Sequence, residues 1–217
     1  MIRRFLKYAH KHGFAATVDR MLLSVKRTLR GNRLVLFYCH LDDCVSTSWA
    51  GNVCANIERI NRECEVKPRD LRQIIEDWNP SLKRRQVVGR FSLGASLWLY
   101  KVDGRVAGYG WTLAGQTVEP HFYPVCAKDL HLFDFFVFPQ YRGKRINVFL
   151  VNHILTEMSQ EGIRRAFIEA HEWNSEQLAS ISRMPFVKLG CARKFQLFGN
   201  SIVVWSNKTT GVHPLKY

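Results

Sequence analysis

The chain has 217 residues, of which 47% are hydrophobic and 12% aromatic, and 32 Lys+Arg against 18 Asp+Glu leave a net charge of +14. That length suits one domain with an N-terminal appendage, and the composition is enough for a sizeable core. No long unbroken apolar run exists, which excludes a transmembrane helix, and the six cysteines show neither a CxxC pair nor zinc spacing, so a metal is not expected.

The N-terminus lacks the apolar core of a secretory signal, and the cysteines read as reduced, mostly buried thiols of a cytoplasmic protein. Residues 1–32 form a basic segment, with Phe14, Val18, Met21, Leu22, Val25 and Leu29 at helical spacing and Gly31 able to end the helix. Three readings compete. One is a helix packed on the domain with a solvated basic face. Another is peripheral contact with an anionic partner or the inner surface of an anionic membrane. The third is a mitochondrial-type presequence, which fits the Arg-rich, acid-poor character although Ser is scarce. The remainder, 33–217, reads as the folded domain.

Arg33 to Leu41 is a predicted strand, 42–53 a polar turn, and Ile57 to Val66 a second strand. Pro68 opens a helix with Leu71, Ile74, Ile75 and Trp78 on its apolar face. Lys83-Arg84-Arg85 is a charge run, read as a solvated helix face or a phosphate contact. Ala95–Val102 and Arg105–Leu113 are strands joined by Asp103-Gly104, a type I′ hairpin signal. A loop covers 114–128. After Asn174 a short helix runs over Glu176–Arg183, and Phe195–Phe198 with Ile202–Trp205 closes the chain as a hairpin.

The stretch Asp129 to Asn174 organises the rest. Leu130 to Phe138 is an apolar and aromatic strand ended by Pro139. The basic turn Gln140-Tyr141-Arg142-Gly143-Lys144-Arg145 follows. A helix then places Ile146, Phe149, Leu150, Ile154 and Met158 on one face and stops at Gly162, and Ala166–Ala170 is a second strand. A strand, a basic turn and a helix N-terminus together make an anion site.

Val137-Phe138-Pro139-Gln140-Tyr141-Arg142-Gly143-Lys144, then Asn174 and Leu189-Gly190, resemble the core of the GNAT acyl-CoA N-acyltransferases. Locally, Asp134-Phe135-Phe136-Val137, Tyr141-Arg142-Gly143 and Glu172-Trp173-Asn174 resemble the spermidine/spermine N-acetyltransferase branch. The resemblance covers about residues 94–198. It implies an α/β fold with a mixed, mostly antiparallel central sheet flanked by helices, and acetyl-CoA or another acyl-CoA as co-substrate. Arg145 and Asn147 stand where the family has small residues, and no Tyr follows Asn174 at the family's usual distance.

For the donor, the resemblance points to Phe136, Val137 and Phe138 for the pantetheine and to Arg142, Gly143, Lys144, Arg145, Ile146 and Asn147 for the pyrophosphate, with Asn174 beyond. A negative φ at Arg145 would keep that loop compatible with CoA. For proton removal from the amine, His131 ranks first, at a common glutamate position of the family, then Asp134, with Glu172 and His171 as relays and Glu119 and His121 as loop candidates. Alternation puts Asp134 on the face opposite His131 unless a bulge intervenes.

The first functional reading is therefore an N-acetyltransferase moving an acyl group to a primary amine of a small or nucleotide-linked acceptor such as an amino sugar. The positive charge disfavours a polyamine. The second reading is a GNAT-fold binding protein without catalysis, attached to a membrane or anionic polymer through its N-terminus. Nucleic acid is disfavoured as a partner because no recognisable binding motif supports it. A homodimer is compatible with the sequence.

Overall fold

In the computed structural model the described residues are 18, 22, 33–42, 56–76, 79–119, 121, 123–197 and 200–206. The basic segment 1–32, apart from Val18 and Leu22, lies outside them, as do most of the 42–53 turn, Trp78 and the tip at Gly199.

Among the described residues eight strands form one sheet in the order β2-β3-β4-β5-β6-β1-β7-β8. They are β1 (Arg33–His40), β2 (Asn56–Ile60), β3 (Ser96–Val102), β4 (Arg105–Ala114), β5 (Asp129–Val137), β6 (Arg165–His171), β7 (Val187–Leu197) and β8 (Asn200–Ser206). Four helices accompany them: α1 (Pro68–Ile75), α2 (Pro80–Ser92), α3 (Ile146–Gln160) and α4 (Ser175–Ile181). All neighbours are antiparallel except β5 and β6. The expected fold class is the one observed. No helix among the described residues is long and apolar enough to cross a membrane.

Local chemistry explains most boundaries. Asp103 and Gly104 both take positive φ, 50° and 70°, as a type I′ hairpin requires. Gly162, at φ 83°, follows the end of α3. Three differences from the sequence reading have physical causes. The strand expected over Ile57–Val66 stops at Ile60, because Glu65 bonds back to the amides of Asn61 and Arg62 and tightens Glu63–Glu65 into a 3-10 turn. The charge run at Lys83 belongs to a separate helix, α2, opened by Asn79, whose side chain accepts the Leu82 amide, and by Pro80. The last hairpin is longer than expected, since β7 already pairs with β1 from Val187 onward.

The sheet is covered on both faces. α3 buries Ile146, Val148, Leu150, Val151, Ile154, Leu155 and Met158 against Trp98, Tyr100, Leu130, Leu132 and Ile168. On the other face α1 and α2 place Ile74 and Val87 against Leu97, Leu99, Tyr109, Trp111 and Phe133. Lys101, 5% exposed, holds α1 through Asp70 at 2.6 Å and β2 through Glu58 at 2.6 Å.

One feature of the sheet positions the site. β5 and β6 pair only from Asp129↔Arg165 to Leu132↔Ile168, although both strands continue. Beyond that point β6 stays with β1, up to Leu34↔His171, while β5 stays with β4. The two strands therefore fork, and residues 133–137 of β5 have a bare edge toward β6.

Candidate active site

The closed end of the fork is clamped by buried charge. Arg165 grips Asp129 with two hydrogen bonds of 2.8 and 2.7 Å, both side chains being almost wholly inaccessible. One step further, Glu169 lies between two histidines. His121 Nδ1 is 2.8 Å from Glu169 Oε2, and His131 Nε2 is 3.1 Å from both carboxylate oxygens. Burial alone would raise the Glu169 carboxyl, but the bonds from His121 and His131 outweigh it and bring it down to about 2. His131 is pushed below its ordinary value, mainly by burial, with the Glu169 contact opposing.

The open end holds a cavity of about 520 Å³ between β5, the start of α3, and α4. Phe135, Phe136 and Val137 form one wall, with Ile168 and Val151 beneath and Ser180, Ile181 and Met184 opposite. Arg142, Gly143, Arg145, Ile146 and Asn147 form its rim. α3 starts without a side-chain cap, so its first amides face this rim. Gly143 at φ 79° and Arg145 at φ 57° bend the backbone into the kind of N–H nest that takes anions. The condition set for Arg145, a negative φ, is not met: the residue takes the left-handed conformation that favours glycine. The Asn147 Oδ1 is buried with no hydrogen-bond partner.

Of the residues expected at the donor site, Phe136, Val137, Arg142, Gly143, Arg145, Ile146, Asn147 and Asn174 line this cavity. Phe138 and Lys144 do not. The Phe138 amide is already bonded to the Ala107 carbonyl, and Lys144 sits over the Tyr141 ring at 5.8 Å. Asn174 uses its side chain to cap α4, accepting the Gln177 amide at 3.2 Å.

The proton-handling candidates separate. His131 is fully buried, Nε2 facing Glu169 and Nδ1 taking the Val118 amide at 3.3 Å, so no ring nitrogen is open to the cavity. Glu172 is turned to Arg33 at 3.2 Å, and Glu119 pairs with Lys194. His121 belongs to the buried cluster. Asp134 is repositioned by a bulge: Trp111 faces Phe133 and Tyr109 faces Phe136, so Asp134 and Phe135 together oppose Gly110. Its φ is 47°. The bulge carries the carboxylate to the α2 side, where Arg90 meets Oδ2 at 2.5 Å and Lys83 at 3.7 Å. Arg90 and the contribution of α4 to the cavity were absent from the sequence reading. α2 was seen there only as a charge run, and α4 only as a helix following Asn174.

The family description "Acetyltransferase (GNAT) family" matches residues 56–181, more than half of the chain. The chain belongs to the GNAT acetyltransferase family. Membership supports acetyl-CoA as co-substrate, and the rim described above suits its phosphates. A GNAT-family acetyltransferase from Colwellia psychrerythraea has the same fold, with a TM-score of 0.52 at 11% identity over 81% of this chain and 56% of that one. A GNAT-family protein from Novosphingobium aromaticivorans gives 0.46 at 15% identity over 74% of this chain and 61% of that one. An IAA acetyltransferase from Bacillus cereus gives 0.43 at 19%, over 65% and 78%. The chain thus spans less than two thirds of the Colwellia and Novosphingobium proteins. No curated protein matches it in sequence.

Proposed function

We propose that this GNAT chain transfers an acetyl group from acetyl-CoA to a primary amine of a small or nucleotide-linked acceptor such as an amino sugar. The observation that carries the reading is the fork between β5 and β6, which opens a cavity against the uncapped start of α3. Acetyl-CoA supplies the activated acyl group. The bare edge at Phe135–Val137 suits an extended amide-bearing arm added as a strand, and Arg142, Arg145 and the amides of Ile146 and Asn147 suit the phosphates.

Attack requires the neutral amine, so a proton must leave an ammonium of pKa near 10. Asp134 is the candidate that takes it. Its carboxylate is partly exposed on the strand that borders the cavity, though held through Oδ2 by Arg90 and Lys83, whereas His131 and Glu169 are buried in their own cluster and Glu172 is turned to Arg33. The departing thiol, at pKa of about 8.5, leaves without a dedicated acid.

The sealed His131 and the lack of a Tyr after Asn174 at the family's usual distance favour a second reading, a CoA-binding protein without transfer. Release of CoA from acetyl-CoA, followed over a panel of amino sugars, amino acids and polyamines, separates the two. Transfer to any of them supports the enzyme; acetyl-CoA binding with no transfer supports the second reading.

A further inference from the structure

We propose that the acceptor is an amine bearing an anionic group, carboxylate or phosphate, near its reacting nitrogen, and that Lys83 and Arg90 of α2 bind that group beside Asp134. This rests on the acetyl-transfer reading above.

Lys83, Val87, Arg90 and Phe91 share the face of α2 turned to the sheet, since positions three, four and seven apart coincide. Val87 is 1% exposed and Phe91 meets the Trp111 ring at 4.9 Å, which fixes that face as the inner one. Inner positions of such a helix are ordinarily apolar. Here two are cations with only 22% and 17% of their side chains accessible. Arg90 lies over Trp111 at 5.2 Å and Phe133 at 5.4 Å, and Lys83 over Tyr109 at 6.0 Å. Burying charge in this way is costly unless something answers it.

Asp134 answers only part of it. Both cations approach the same oxygen, Oδ2, with Arg90 in hydrogen-bond contact and Lys83 outside it at 3.7 Å. Lys83 makes one long hydrogen bond, 3.4 Å to the Tyr109 hydroxyl. Among the described residues two positive charges face one negative, and α2 itself contains no acidic residue while adding exposed Arg84 and Arg85. The uncompensated charge lies next to the strand that borders the cavity.

The carboxylate is brought there at a cost. A non-glycine residue at φ 47° carries roughly 1 kcal/mol of strain. A strained acid and two inward cations coincide at one place, and such breaks of local rules mark functional sites. The arrangement reads a bifunctional ligand: Asp134 takes the amine, and Lys83 and Arg90, released toward the ligand, take its anion. The half-buried rings of Phe136 and Phe138, 5.2 Å apart, offer an apolar surface for its body. A polycation would be repelled.

The test compares glucosamine, glucosamine 6-phosphate, an α-amino acid and spermidine as acceptors in CoA release, and measures their binding to the full chain by calorimetry. The anionic amines should exceed glucosamine in kcat/KM and in affinity by roughly tenfold or more, as a hydrogen bond to a charged group is worth. Preference between the two anionic amines distinguishes phosphate from carboxylate. Lys83→Gln, which leaves the Arg90–Asp134 pair in place, should raise KM rather than lower kcat for the anionic amine and narrow its advantage over glucosamine by about tenfold, and Lys83→Arg should restore it. Glucosamine or spermidine equalling the anionic amines would overturn the proposal. Absence of acetyl-CoA binding would overturn the transfer reading instead, while the binding series would still decide the anion preference.

Discussion

His121 reaches Glu169 across 2.8 Å at the point where β5 and β6 part, so the loop between β4 and β5 is fastened to the fork itself. With His131 on its other side, Glu169 joins three segments through one carboxylate. Replacing it by Gln leaves the shape and removes the charge that both rings face. Glu169→Gln is expected to cost roughly 3 kcal/mol, as loss of one partner from a buried ionic cluster does, and urea unfolding at neutral pH measures it.

Acid should act through the same carboxylate. Its folded value of about 2 lies below the ordinary 4.5, so its contribution is fully present above pH 4.5 and disappears as pH falls toward 2. The difference corresponds to about 3 kcal/mol. His131, held below 6.5, works in the same direction, because below that pH the unfolded chain takes up a proton that the folded one resists. Urea midpoints of the wild type should fall steeply below pH 4.5, and those of Glu169→Gln should fall less. Parallel pH profiles would contradict this account.

Gly110 lies opposite the bulge, and a Cβ there would overlap the Phe135 ring. Gly110→Ala should displace Phe135, destabilise the fold by about 1–3 kcal/mol as overpacking does, and weaken acetyl-CoA binding, since Phe135 lines the cavity. Thermal melts and ligand titration together check this.

Arg145 carries the opposite expectation for stability. At φ 57° it gains from losing its Cβ, so Arg145→Gly should stabilise by about 0.5–1 kcal/mol after the added freedom of the unfolded chain is counted. The same change removes a charge from the rim. Acetyl-CoA affinity should therefore fall at low salt and converge with the wild type as salt rises.

The fold was legible where local signals repeat. The Asp103-Gly104 turn, the apolar run of β5, the α3 stripe and the Gly162 stop each specify their own geometry. The basic turn that runs into the start of α3 was legible for the same reason, because the two are contiguous in sequence. The bulge was not: nothing in Asp134-Phe135 says which residue is extra, as that depends on Gly110 of the neighbouring strand. His131 was likewise legible as a histidine at a telling position, but its burial depends on Val118 and Glu169, 13 and 38 residues away. The inward turn of Lys83 was not legible, because a charge run that suits a solvated face or a phosphate contact gives no sign of the aromatic strand against which it folds, and Arg90 stands outside that run.

The most direct test of the account is an acetyl-CoA titration by calorimetry on the full chain and on Ser180→Trp, whose indole would fill the cavity between α4 and β5. The wild type should bind with an affinity on the order of micromolar that weakens with salt, and Ser180→Trp, with unchanged circular dichroism, should not bind. No binding by the wild type at millimolar acetyl-CoA, or equal binding by the folded Ser180→Trp, would contradict the assignment of the fork as the donor site.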